Sequence, residues 1–203
     1  MKSAENISVK IDADSSDQEL MSAFQGGDTK AFEILVKRYQ DAIVNYAFRF
    51  LGNYEDATDI AQETFMRLYK NRMMYEPIAK FSTWLYTIAG NVAKSELRRR
   101  KTSRVVPLSQ TDEDGEEQTW DVPDTEYTPD KTVDVTLIEQ YLQEALMKIP
   151  ASYRDVIIMR DIQDMEYEDI AKITGLPLGT VKSRINRGRL QLQKLLKDIY
   201  EQT

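Results

Sequence analysis

The 203-residue sequence contains no cysteine and no histidine. Disulfides are therefore excluded, and carboxylates remain almost the only side chains able to hold a metal, so neither a zinc site nor any other metal or cofactor is expected. The same absence removes thiol nucleophiles and the usual hydrolase triads. Carboxylate, lysine or hydroxyl chemistry stays formally open, but no acid pair within a glycine-lined pocket pattern argues for it. Nowhere do eighteen apolar residues run together, and the opening MKSAENISVKIDADSSDQEL lacks the apolar stretch of a secretory signal. The chain is expected to be cytoplasmic, with no membrane insertion. β-branched runs are short and embedded, which argues against a sheet.

What is present is charge, unevenly distributed. The formal net charge is −7, which would ordinarily argue against a nucleic-acid partner. Between Arg104 and Asp134, however, stand 10 acidic residues and 2 basic ones, a local −8, so the rest of the chain carries +1. Basic clusters lie at Arg98–Arg99–Arg100–Lys101 and at Lys182, Arg184, Arg187 and Arg189. The acidic stretch also holds Pro107, Gly115, Pro123 and Pro129 and has no helical period, the composition of a flexible linker. An all-α fold of two small domains follows: a disordered tail over 1–16, a helical domain over 17–103, the acidic linker over 104–134, and a second helical domain over 135–203. A flexible tether of about 31 residues spans roughly 30 Å root-mean-square, which predicts domains that move independently.

In the first domain Phe32, Leu35, Val36, Tyr39, Ile43, Tyr46 and Phe50 recur at three- and four-residue steps, and Gly52 ends that helix. Asn53 is placed to cap a helix of about 54–71 that buries Ala57, Ala61, Phe65 and Leu68, and Ser82 to cap a third with Leu85, Ile88, Ala89 and Val92 inward. The second domain opens with Leu137, Ile138, Tyr141, Leu142, Ala145 and Leu146, breaks at Pro150, and resumes with Val156, Ile157 and Met159.

The segment YEDIAKITGLPLGTVKSRINRGRLQLQKLL reads as helix, turn and longer helix, a helix-turn-helix. Ala171 permits close crossing, Gly175 takes the turn, and Val181 and Ile185 lock the second helix. Lys182, Ser183, Asn186 and Arg187 then lie on the opposite face, where Lys and Arg can donate to guanine and Asn can pair with adenine. An ordinary helical hairpin with a solvated basic face fits these residues too. Leu190 is an apolar residue on that polar side, either a protein contact or a lone surface leucine. In KFSTWLYTIAGNVAKSELRRRK, the residues Trp84, Thr87, Asn91, Lys94, Arg98 and Lys101 share a stripe that combines an aromatic ring with cations. That pairing suits partly single-stranded nucleic acid, although Trp84 can equally be a core residue. Asp59, Gln62 and Glu63 share the outer side of their helix, by default a solvated face.

Taken in order and spacing, DATDIAQETFMRLYKN, KFSTWLYTIAGNVAKSELRRRK and IPASYRDVIIMRDIQDMEYEDIAKITGLPLGTVKSRINRGRLQLQKLL resemble the extracytoplasmic-function (ECF) group of bacterial RNA polymerase sigma factors. The resemblance implies a promoter-recognition subunit that binds core RNA polymerase and is not an enzyme. It implies that Asp59, Gln62 and Glu63 dock on the β′ clamp helices, with the β flap as a further polymerase contact. It implies that the Trp84 to Lys101 stripe helps open and read the −10 element, that the loop Arg72–Lys80 captures a flipped base, and that Lys182, Ser183, Asn186 and Arg187 read the −35 element. The linker would thread towards the RNA exit path, and an anti-sigma factor becomes a conceivable partner. One departure stands out: Met165 and Glu166 occupy positions where the family has a Ser or Thr cap, so that helix should be less well capped. Two rivals are a helix-turn-helix repressor or activator, which needs no docking face or tryptophan beside cations, and a nucleic-acid-processing enzyme, which needs rigidly held acids where this chain has a linker.

Overall fold

The computed structural model describes residues 11–104 and 133–201, with side chains described over 11–102 and 137–197. Most of the acidic linker and the first ten residues lie outside that range, as does the expectation of disorder attached to them. Among the described residues all regular structure is helical. None of those helices is long and apolar enough to cross a membrane.

The first domain comprises α1 (Asp17–Gln25), α2 (Thr29–Leu51), α3 (Tyr54–Lys70), a 3₁₀ turn (Arg72–Met74) and α4 (Phe81–Arg104). Periodicity alone did not announce α1. Its start is fixed by a capping box, in which the Glu19 amide donates to Ser16 Oγ while Glu19 accepts from the Ser16 amide. The expected tail is correspondingly shorter, because Arg38 donates to the carbonyls of Ala13 and Ser15 and pairs with Asp17, holding the end of the tail against α2. Gly52 closes α2 in the left-handed conformation (φ 77°), and Asn53 caps α3 by accepting from the Asp56 amide. Helix α4 begins at Phe81, which puts Ser82 inside the first turn and not at its cap. Leu20, Phe24, Leu35, Ile43, Tyr46, Phe50, Leu68 and Leu85 are buried together.

The second domain comprises α5 (Val133–Lys148), α6 (Ala151–Ile157) running on into a π-helical turn (Ile158–Ile162), α7 (Tyr167–Thr174) and α8 (Leu178–Glu201). Pro150 precedes the first turn of α6, where its missing N–H costs nothing. The α5 stripe is buried only towards its end: Ala145 and Leu146 are in the core, whereas Leu137 and Ile138 are exposed. Gly175 takes φ 70° between α7 and α8, and Val181 and Ile185 are buried. Gly188 lets α8 lie close against α6: a Cβ there would sit 2.4 Å from Ile157 Cδ1.

The two domains are packed together in the structure, α4 against α7 and α2 against α5 and α6. Tether length sets what is reachable, not what packs. Arg154 is buried at the seam, donating to the Phe50 carbonyl of α2 (2.6 Å) and to Met147 and Ile149 carbonyls of its own domain (3.0 Å each). These are carbonyls left over where α2 and α5 end, and the cation also complements the negative helix termini. Burial lowers the Arg154 guanidinium pKa to about 10. Beside it, buried Asp155 accepts from the Tyr46 hydroxyl at 2.7 Å and pairs with Lys94 at 2.7 Å. Gln163, just past the π-helical turn, donates to Asn45 Oδ1 and accepts from the Tyr86 hydroxyl.

Candidate nucleic-acid interface

Helix α8 carries the first candidate face. Burying Val181 and Ile185 against α6 and α7 turns Lys182, Ser183, Asn186 and Arg187 outward, and all four are exposed. They lie on the first turns of a helix that follows a left-handed glycine turn, the placement that reaches base edges in a major groove. Lys182 Nζ stands 5.8 Å from the Tyr167 ring centre, a contact that steadies the ammonium without covering it. The rest of the basic cluster diverges: Arg189 pairs with Asp161, and Arg184 turns towards the cleft between the domains. The amino end of α7 has Glu166 at its cap position with no side-chain hydrogen bond, as the missing Ser or Thr requires. Leu190 is exposed.

The stripe on α4 is less uniform. Trp84 is half-buried, tilted against Tyr75 at 5.4 Å and Phe81 at 6.5 Å, so it is partly core and partly surface. Thr87 donates back to the Thr83 carbonyl. Asn91, Arg98 and Lys101 are exposed, whereas Lys94 is spoken for by Asp155. Downstream, Arg99 and Arg100 both bond Glu96, and Arg100 also pairs with Asp56, so the charge of the RRRK run is partly neutralised within the domain. The loop before α4 presents Met73, Met74 and Ile78 to solvent and is anchored from behind, with Gln25 Nε2 donating to the carbonyls of Arg72 (2.8 Å) and Tyr75 (2.9 Å). Sequence reasoning missed that anchor, since a polar residue at a helix end carries no periodic signal.

On α3, Asp59 and Gln62 are exposed and Glu63 is partly so, in contact with Arg67 at 2.7 Å. Met66, one turn further on, is exposed as well and extends the same face with an apolar side chain. Sequence reasoning also missed Arg154 and Asp155. Their signal was available, because a charged pair inside the apolar run YRDVIIM must be buried with partners or break the helix face.

Comparison with known proteins fits this arrangement. Residues 35–103 match the family model for sigma-70 region 2, and residues 139–192 match that for sigma-70 region 4. ECF RNA polymerase sigma factor SigW of Bacillus subtilis is 35% identical over 173 residues, covering 85% of this chain and 92% of that protein. RNA polymerase sigma-H factor of Pseudomonas aeruginosa is 36% identical over 186 residues, covering 90% and 95%. Among solved structures, the sigma factor RpoE of Bartonella quintana, in complex with the anti-sigma factor NepR, superposes with a TM-score of 0.64 at 28% identity, over 83% of this chain and 98% of that one. Two matched regions in the right order, and relatives aligned almost end to end, place this chain in the ECF group of sigma factors, non-catalytic subunits that direct RNA polymerase to promoters through region 2 at the −10 element and region 4 at the −35 element.

Proposed function

We propose that this sigma factor divides its work among three faces. Asp59, Gln62 and Glu63, with Met66 beside them, dock on the β′ clamp helices. Trp84, Thr87, Asn91, Lys94, Arg98 and Lys101, together with the loop Arg72–Lys80, engage and help open the −10 element. Lys182, Ser183, Asn186 and Arg187 read the −35 element. Residues 17–103 and 135–203 are the two working domains, the acidic linker joins them within polymerase, and the β flap contacts the second. The protein acts in the cytoplasm, where its polymerase is. The RpoE–NepR complex supports an anti-sigma factor as a further partner.

The observation that carries this reading is the outward placement of all four α8 residues while Val181 and Ile185 hold that helix from the other side. Arg187→Ala tests it. A lost bidentate base contact costs ~1–3 kcal/mol at one base position, whereas a lost phosphate contact weakens all sequences alike and flattens the salt dependence by about one unit. Holoenzyme binding to single-base variants of the upstream element at several salt concentrations should show selective loss. No change in binding or transcription, with the fold intact, refutes the assignment. For docking, Gln62→Ala with Glu63→Lys should weaken binding to core polymerase without lowering stability.

A further inference from the structure

One side-chain amide from α1 holds both ends of the turn that opens the loop before α4. Gln25 Nε2 donates to the Arg72 carbonyl and to the Tyr75 carbonyl, one for each of its two hydrogens. Both partners are acceptors, so it is the amide nitrogen and not its oxygen that faces the turn. Between the two gripped carbonyls stand Met73 and Met74, 68% and 73% exposed. A 3₁₀ turn of three residues is weak on its own, and its bond from the Tyr75 amide to the Arg72 carbonyl is stretched to 3.3 Å. The grip also reaches past the turn. The Tyr75 ring is buried, packed on Phe81 at 6.0 Å and against Trp84, and its hydroxyl donates to the Ala79 carbonyl at 3.4 Å. Fixing the Tyr75 carbonyl therefore steadies two things at once: the exposed methionines on one side, and the ring on which Trp84 leans on the other. Gln25 itself is half-buried and closes α1, outside the residues matched to region 2.

We propose that Gln25 is a positioning residue for −10 recognition: without touching DNA itself, it sets which bases are preferred by fixing where Met73, Met74 and Trp84 stand. The proposal rests on the assignment of the loop Arg72–Lys80 and Trp84 to the −10 element. A hydrogen-bond donor is what the position requires. Gln25→Met keeps the length of the side chain and leaves both carbonyls without that donor, and Gln25→Glu turns a carboxylate towards them. Either change frees the turn and leaves the core residues of α1, Leu20, Met21 and Phe24, in place. The loop then occupies several placements, and recognition that depends on one of them is diluted by the fraction of molecules that hold it. The α3 and α8 faces keep their own supports, so docking on polymerase and reading of the −35 element do not follow the loop.

Two measurements on the full chain test this. In the free protein, deuterium uptake at the amides of Met74 and Tyr75 should quicken at least about threefold in Gln25→Met, relative to amides within α2. In holoenzyme reconstituted with core polymerase, a promoter pool is transcribed and its transcripts are sequenced; the −10 bases are randomised behind the upstream element of a promoter that the parent holoenzyme uses. Discrimination at the bases read by the loop should fall at least about threefold, part of what one well-placed contact supplies. Gln25→Glu should relax the same positions further. Discrimination at the −35 element and affinity for core polymerase should stay as in the parent. Unaltered exchange in a chain that melts cooperatively, faster exchange with base preferences retained, or a loss of transcription uniform over all sequences overturns the proposal. Met73→Ala, Met74→Ala and Ile78→Ala combined separate it from the assignment beneath it. If that loop variant leaves −10 preferences as they were, the loop assignment fails and positioning fails with it; if it alters them while both Gln25 variants do not, positioning alone fails.

Discussion

Gly188→Ala is a single methyl group added where α8 crosses α6, and its cost can be worked from the contacts. The new Cβ would lie 2.4 Å from Ile157 Cδ1, 3.1 Å from Ile157 Cγ1 and 3.2 Å from Tyr153 Cβ. The first is more than 1 Å inside the ~3.5–4.0 Å optimum for carbon pairs, and Ile157 is fully packed, so it cannot swing away without opening a void. Overpacking of this kind costs ~1–3 kcal/mol, and the severity of the clash argues for the upper part of that range. Against it stands the helix propensity gain of ~1 kcal/mol for replacing glycine by alanine. The net expectation is a loss of about 1–2 kcal/mol in urea denaturation. Ile157→Val deletes the clashing Cδ1, so the double variant should recover part of the loss, with a coupling energy of about 1 kcal/mol. The functional consequence is geometric, since any relief that tilts α8 also tilts Lys182, Asn186 and Arg187 against the groove. Discrimination at the −35 element should fall more than non-specific binding does. A Gly188→Ala chain as stable as its parent, or one indifferent to Ile157→Val, refutes the close-crossing argument.

Arg154→Met keeps the volume but strands the carbonyls of Phe50, Met147 and Ile149, and should cost about 3 kcal/mol in chemical denaturation. Glu166→Ser supplies the missing cap of α7 at a residue already in the extended conformation (φ −71°, ψ 148°), and should raise stability by about 0.5–1 kcal/mol in the same assay. Burial holds the Tyr46 hydroxyl well above its ordinary range, and burial likewise raises Tyr39 and Tyr86. The folded protein keeps these protons where the unfolded chain has released them, so their contribution to stability is full below pH ~10 and declines as pH rises beyond it. An ultraviolet alkaline titration should show tyrosines that ionise only as the protein unfolds.

Helices and their ends were legible wherever chemistry repeats locally. Gly52 and Asn53 marked a boundary because only certain residues accept a left-handed stop or supply a cap, and Val181 with Ile185 identified the buried side of α8 by spacing alone. The outward direction of Asp59, Gln62, Lys182 and Arg187 followed by subtraction. Leu137 and Ile138 belong to the α5 stripe yet are exposed, because periodicity reports which residues share a face, not whether a neighbour covers it. The association of the domains was invisible for a different reason: Arg154 and Tyr46 meet partners more than a hundred residues away, and no local pattern encodes such a meeting. Lys94 illustrates both limits, being correctly placed on the α4 stripe while its carboxylate partner could not be guessed.

The bonds from Gln25 to the backbone of the 3₁₀ turn have a reach beyond tidy packing. Arg72 lies over the rings of Phe24 and Tyr69, at 5.4 and 5.2 Å, so side chains of α1 and α3 together grip one end of the loop that carries Met73, Met74 and Ile78. The loop's contour is thus inherited from a helix 47 residues upstream of its first anchor point, a helix outside the segment matched to region 2. A substitution at Phe24 or Gln25 can thus reshape the loop, like a lens refocused by turning its mount, with every residue exposed on the loop left unchanged.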